Sequence, residues 1–316
     1  MRAFVTDGAG ERWTLPVPTA WKMEYTCGTP CDSFWFRCPW DTDNTANPAH
    51  WVRFFAEHEG GRVFTGVVDE CQVTQDSGGC VLEVSGRGMA ALLLDNEALG
   101  EDYGTATLSD ILRDHVTPYG IETAQGASLP AVSRFSVATG SSEWSVLYDF
   151  ARYHAGITPR FDRRGRLVLA PWPEGREVMI DNASRVTGLT CRDKRYGVLS
   201  HVLVRDRFSG AIQRVNHGPF QASGGQARRV LTMPGRSNYK AMRYSGQFQL
   251  DKSAAELERL EVTVAQPFCA WPGDLVRVQR SRWERNGLYR AAQVTVGMDA
   301  KGYWSRLELA RPDFVV

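Results

Sequence analysis

Apolar side chains recur at every second position in several stretches of the chain, the period of a strand with one buried face. PCDSFWFR places Phe34 and Phe36 on one side, and PGDLVRVQ does the same with Val276 and Val278. The pattern continues in two matched β-units, residues 66–87 and residues 287–311. A Gly opens each (Gly66, Gly287), Gln-Val-Thr follows from Gln72 and Gln293, and turns at Asp76 to Gly79 and Asp299 to Gly302 lead into a second alternating strand. Upstream, Pro30 and Asp32 lie over Pro272 and Asp274, which extends the match to PCDSFWFR and PGDLVRVQ. Two diverged copies of one β-module are therefore expected. The first copy carries 21 extra residues between its Pro and its Gly. They include PAHWVRFFAEHEGG, whose Trp51, Phe54, Phe55 and His58 share one face of an expected helix.

Between the copies the period changes. Thr107-Leu-Ser-Asp110 is a capping box that opens a helix with Leu108, Ile111, Leu112 and His115 on one face. SSEWSVLYDFARYHAG predicts a second helix, with Trp144, Leu147, Tyr148 and Ala151 inward and a stop at Gly156. PRFDRRGRLVLAPW then reads as a hairpin turning at Asp162 to Gly165, against which Trp144 should be buried. From about residue 182 the chain is β again, passing through a long surface loop over Ser209 to Asn238. Ser253-Ala-Ala-Glu256 reads as a further capping box, opening a helix with Leu257 and Leu260.

The expected fold class is α+β, predominantly β. Residues 1–98 form the first β domain, 99–181 a small α/β domain of two helices and a hairpin, and 182–316 the second β domain. A basic loop or inserted subdomain lies within the last, at about 205–250. At 316 residues, 43% apolar and 23% charged, the chain holds enough material for such cores. Its longest apolar stretch, Met89–Leu94, is too short to span a bilayer, so no membrane partner is expected. Seven cysteines without framework spacing fit a reducing compartment.

A net charge of +1 hides an asymmetry. Residues 1–104 carry 16 acidic against 7 basic side chains, a net of −9, and residues 192–243 carry 11 basic against 2 acidic, a net of +9. Complementary fields of this size suit contacts between copies, with Arg228 and Arg229 as interface candidates on the basic side; Asp32 and Asp274, matched between the two β-units, are further interface candidates. The basic segment lacks the aromatic interleaving of a stacking platform, so no sequence-specific nucleic acid is expected.

No constellation in the sequence supports catalysis. Cys27, Cys31 and Cys38, with His50 as a fourth ligand, lack the paired spacing of a structural zinc site, and no metal or disulfide is expected there. There is no G-x-S-x-G elbow. His115 and His154 each sit beside an apolar helical face, where a histidine more often packs than reacts. Gly86-Arg-Gly88 lacks the rest of a phosphate loop, and Asp41 and Asp43 sit in ordinary turn chemistry. No cofactor is expected.

Taken in order, PCDSFWFRCPW, EHEGGRVFTGVVDE, VSGRGMAALLLDNEA, SSEWSVLYDFARYHAGITPRFDRRGRLVL and the terminal WPGDLVRV, GLYRAAQVTV and LEL segments resemble the baseplate hub proteins of contractile phage tails, including the hubs of defective prophages and the late control gene D group. The resemblance covers about residues 20–180 and 260–316 and is weakest over the basic segment. It implies a homotrimer in which two tube-like β-barrel or sandwich domains per subunit form a six-part ring. That ring joins a tail tube protein, or a tube-terminating baseplate protein, to a central spike protein, with a tape measure protein as a further partner. The implied place is the virion tail baseplate, assembled in the host cytoplasm. Two rival readings are a tail-associated cell-wall hydrolase or the carrier of one, for whose additional catalytic domain no spare length is expected, and a metal-stabilised adhesion or receptor-binding module resting on the three amino-terminal cysteines.

Overall fold

Residues 1–27, 30–41, 46–172, 176–254 and 257–312 are described by a computed structural model of the chain. The α+β fold, predominantly β, is as expected. Seven strands form the first β-unit: β1 (Arg2–Asp7), β2 (Arg12–Thr14), β3 (Ala20–Thr26), β4 (Ser33–Pro39), β5 (Trp51–His58), β6 (Gly61–Asp76) and β7 (Gly79–Gly88). A mixed module follows, with α1 (Ala91–Leu94), β8 (Glu101–Ala106), α2 (Leu108–His115), β9 (Val132–Val137), α3 (Glu143–Tyr148), β10 (Arg160–Phe161) and β11 (Leu167–Val168). The chain returns to β through β12 (Glu177–Asp181) and β13 (Val186–Asp193). It then builds an inserted module from β14 (His201–Asp206), β15 (Ile212–Asn216), α4 (Gly218–Ala222), β16 (Arg228–Met233) and α5 (Tyr239–Ala254). The second β-unit closes with β17 (Glu258–Val264), β18 (Leu275–Gln279), β19 (Gly287–Asp299) and β20 (Gly302–Ala310). Among the described residues no helix is long and apolar enough to cross a membrane.

The two units are joined into one sheet in the order β13-β17-β20-β19-β3-β4-β7-β6-β5-β1-β2, with β18 alongside the first part of β19 and β12 parallel to β18 on its other side. A single apolar cluster runs through both, from Val5, Trp21 and Phe36 to Val262, Val294 and Leu307. Two smaller clusters lie in the mixed module, around Ile111, Phe135 and Leu147, and in the inserted module, around Val202, Val204 and Leu250.

The repeat is present, displaced from its sequence match. In each unit the long hairpin carries a bulge seven residues before the turn Asp, at Asp69 before Asp76 and at Ala292 before Asp299. Counting from bulge and turn, Gln72 is equivalent to Thr295 and Gln293 to Glu70, a slip of two that keeps every side chain on its face. The upstream match fails. β4 pairs with the second arm of its hairpin, β7, as β17 does with β20, whereas β18 pairs with the first arm, β19, as β5 does with β6. Asp32 and Asp274 therefore precede non-equivalent strands.

The expected helix at Trp51–His58 is β5. Residue Val52 is skipped in the pairing with β1, where Thr6 faces Arg53 and Asp7 faces Trp51. This bulge turns Trp51 and Phe54 to the same side and so imitates helical spacing. The strand ends in a tight turn with positive φ at Glu59 (50°) and Gly60 (78°). The loop expected over Ser209–Asn238 is instead folded as β15, α4 and β16. Ser253 lies in the last turn of α5 rather than opening a helix, Leu260 lies in β17, and Glu256 of the expected capping box, like Asp43, falls outside the described residues. The Thr107 capping box forms as expected, with Thr107 Oγ1 accepting from Asp110 N at 3.2 Å and Thr107 N donating to Asp110 Oδ2 at 3.0 Å. Trp144 is buried, its ring 6.3 Å from that of Phe161 in the hairpin.

Candidate functional site: the inter-module cleft and the open edges

A cavity of about 390 Å³ opens where the two β-units meet the mixed module. Tyr25 and Thr26 enter it from the end of β3, Asp32 from the loop before β4, Trp271 to Asp274 from the loop before β18, and Trp144, Arg160 and Arg163 from the mixed module. The cleft thus brings Asp32 and Asp274 together.

Both carboxylates serve local loops. Asp274 Oδ2 accepts from Trp271 N at 2.9 Å and from Arg176 Nε at 3.0 Å. Asp32 Oδ1 accepts from Thr26 N at 2.9 Å and Thr26 Oγ1 at 3.4 Å. Burial nevertheless pushes the Asp32 carboxyl up to about 7, with Glu24 adding to the shift and the Thr26 bonds opposing it. Tyr25 is raised by burial and by Asp32, and its hydroxyl donates to the Val63 carbonyl at 2.9 Å.

Two of the aromatic rings in the cleft, Trp271 and Trp172, carry a guanidinium over one face. The Arg163 guanidinium lies 4.3 Å over Trp271, whose ring also stacks on Phe268 at 5.3 Å and meets Tyr25 edge-on at 5.1 Å. Arg160 lies 4.4 Å over Trp172 and donates to the carbonyls of Ala170 and Pro171. These contacts work as a joint that ties the mixed module to the second β-unit, with Tyr25 of the first unit against the same Trp271 ring.

Other candidate groups are equally committed. His115 Nδ1 lies 2.6 Å from Glu143 Oε2, Tyr119 donates to Glu143 Oε1 at 2.9 Å, and the Tyr103 hydroxyl sits 3.1 Å from His115 Nε2 while donating to Asp114. This network ties β8 and α2 to α3, and His115 and Glu143 line neither the inter-module cleft nor the cavity beside Asp149 and Arg207. His154 is lowered to about 4 by burial and packs edge-on to Phe135. The three amino-terminal thiols part company: Cys38 is in the shared core, Cys31 donates to the Gly88 carbonyl at 3.2 Å, and burial pushes Cys27 up to about 12. Among the described residues no three potential metal ligands converge.

Arg228 and Arg229 lie far along the chain from the cleft residues, on β16 at the edge of the three-stranded sheet β15-β14-β16. Arg229 Nη1 donates to Gln249 Oε1 at 2.6 Å, and Arg228 is exposed beside His201. The His201 imidazole is held below its usual value by its partial burial and by Arg214 and Arg228, a local sign of the positive field. On the same uncovered face Ile212 (64%) and Val230 (63%) are exposed.

Two further open edges belong to the large sheet, and periodicity alone gave no sign of them. β5 covers β6 only as far as Val67, so among the described residues the outer half of β6, from Val68 to Asp76, has a strand on one side only. Among the described residues β13 pairs only with β17. Such edges template pairing with another chain unless covered.

No protein-family model matches the chain, and no curated protein matches it in sequence. Solved structures do match. The tail protein from Neisseria meningitidis MC58 is similar over 99% of this chain and 97% of its own, with a TM-score of 0.77 at 16% identity. The 43 kDa tail protein of prophage MuSo2 from Shewanella oneidensis covers 100% of both chains, with a TM-score of 0.75 at 18% identity. An E. coli type VI secretion component, described as similar to the bacteriophage T4 tail proteins gp27 and gp5, matches 95% of this chain and 77% of its own, with a TM-score of 0.56 at 12% identity. The chain has the fold these proteins share.

Proposed function

We propose that the chain is a structural hub of a phage or phage-like tail baseplate, acting by assembly rather than catalysis. Three copies close into a ring of six β-units that joins a hexameric tail tube, or the protein that ends it, to a trimeric central spike. A tape measure protein is a further partner, and the place of action is the virion tail. The observation that carries this reading is the duplication inside one sheet. Each chain supplies two equivalent units already joined edge to edge, so three chains offer six quasi-equivalent units to one partner and three identical subunits to the other. The likeness to two bacterial tail proteins over nearly their whole length supports it. In this reading Arg228 and Arg229 face acidic surface on a neighbour, while Asp32 and Asp274 shape the loops beside the seam from inside the cleft.

The test is the mass of the purified protein by light scattering and sedimentation at micromolar concentration, with electron microscopy of the same sample. Closed trimers with a central channel are expected. A stable, soluble monomer across ionic strengths overturns the reading.

A further inference from the structure

We infer that neighbouring copies of this chain are joined by antiparallel pairing of β13 in one copy with the outer half of β6 in the next, in the register that places Val73 opposite Cys191 of the partner subunit. The inference deepens the proposed function and rests on its ring of like copies. Its register is taken from the seam inside the chain.

Within one chain, β3 lies between β4 and the outer half of β19. Trp21 faces Phe36 on one side and Met298 on the other, and Met23 faces Phe34 and Val296. The bulge and turn make Val73 the counterpart of Val296, and Gln75 that of Met298. β13 stands to β17 as β3 stands to β4, since Leu189 faces Val262 as Trp21 faces Phe36, and Cys191 faces Leu260 as Met23 faces Phe34. The buried positions agree at every step: Phe34, Phe36 and Cys38 in β4 match Leu260, Val262 and Val264 in β17. Each copy therefore uses one such seam internally and leaves its two halves open, the receiving edge on β6 and the inserting strand β13.

Side-chain burial shows what is missing. Val296 is fully buried under β3 (0% exposed), whereas its counterpart Val73 is 46% exposed. Met23 is sealed (0%), whereas Leu189 and Cys191 are half-buried against the core. Transferring the internal register sets Leu189 of the partner subunit against Gln75 and Cys191 of the partner subunit against Val73. It also sets Lys194 of the partner subunit against Glu70, an opposite-charge pair across strands. A pairing one residue out of step would turn these half-buried positions toward solvent.

The experiment uses the full chain with Val73→Cys, which alters an exposed position, relying on native Cys191. Directly opposed strand residues bring Cβ atoms to about 5 Å, within reach of a disulfide after small adjustment. Mild oxidation should convert Val73→Cys into covalent dimers and trimers on a non-reducing gel. Wild type, Val73→Cys with Cys191→Ser, and Thr74→Cys on the opposite face should not give these bands. A wild type that is trimeric while Val73→Cys fails to link to Cys191 overturns this pairing and leaves the hub reading standing. A wild type that stays monomeric overturns both.

Discussion

Gly297 lies directly under the indole of Trp304: a Cβ built there would sit 2.5 Å from Trp304 Cζ2 and 2.9 Å from the carbonyl oxygen of Trp21. The missing side chain lets Trp304 cross β19 at the point where β3 joins the two units, since Gly297 pairs with Trp304 on one side and Lys22 on the other. Gly297→Ala should cost about 1–3 kcal/mol, the range for overfilling a packed site. Its counterpart in the first unit is exposed Thr74, where Thr74→Ala should be close to neutral. Denaturant unfolding of the two variants provides the check, and equal midpoints would show that the seam is not tightly packed.

Arg152 holds the mixed and inserted modules together from a fully buried position. Its guanidinium carbon is 3.2 Å from the centre of the Phe248 ring, Nη1 donates to the Tyr244 hydroxyl at 3.2 Å, and Nε and Nη2 have no partner among the described residues. The stem and ring contacts should therefore matter more than the charge. Arg152→Ala is expected to lose about 2–4 kcal/mol through the cavity it leaves. Arg152→Met, which keeps the volume and removes unsatisfied donors, should fall within about 1 kcal/mol of wild type. Thermal melts decide between them: an equal loss in both variants would assign the stabilisation to the charge.

Asp32 makes stability depend on pH in a defined direction. Its carboxyl is raised to about 7 in the fold from an ordinary value of 3.8, so between those limits the folded chain holds a proton that the unfolded chain releases. The contribution is complete below about pH 4, falls as pH rises, and is lost above about pH 7. Asp149, pushed up to about 7 by burial, acts in the same sense. Asp32→Asn should therefore flatten the profile, giving a protein about 1–3 kcal/mol more stable than wild type at pH 8 and little different at pH 4.5. Parallel slopes for wild type and variant between pH 4.5 and 8 would contradict the burial of this carboxyl.

Much of this fold was legible where local chemistry and tertiary structure agree. The Thr107 capping box, the turn at Asp162 to Gly165 and the two long hairpins are set by residues within a few positions of one another. Sequence pattern and structure part where the cause lies across the sheet. The bulge at Val52 depends on β1, and the two-residue slip of the repeat depends on a bulge that no sequence pattern marks. Helix α5 shows no apolar stripe because it buries Ser245, Gly246 and Gln249 among its apolar residues. A Cβ at Gly246 would lie 2.6 Å from Val215 Cγ2, so the close approach to β15 needs glycine where an apolar stripe would otherwise be expected. Of the candidate residues, Asp32 and Asp274 share a cleft for a reason unrelated to the alignment that singled them out. The open edges of β6 and β13 became visible only with the strand order.

Arg228 and Arg229 distinguish assembly from passage of nucleic acid. They lie on β16, at the edge of the inserted sheet, in a segment with a net of +9, opposite in sign to the −9 of residues 1–104. A channel that must let a polymer slide is poorly served by arginines that grip phosphates, because each neutralised phosphate releases counterions and tightens binding. Acidic protein surface is the better match, since complementary fields speed encounter and fix orientation. Arg228→Glu with Arg229→Glu should slow association of copies at low salt by about tenfold or more and abolish particle assembly. Arg228→Glu alone, which breaks no hydrogen bond to Gln249, should act in the same direction and so separates the electrostatic effect from the loss of that bond. Assembly is read by counting particles in electron micrographs and delivery by the number of host cells reached. Variants that form normal particles in normal numbers and fail only in delivery would transfer these arginines from the subunit interface to the channel.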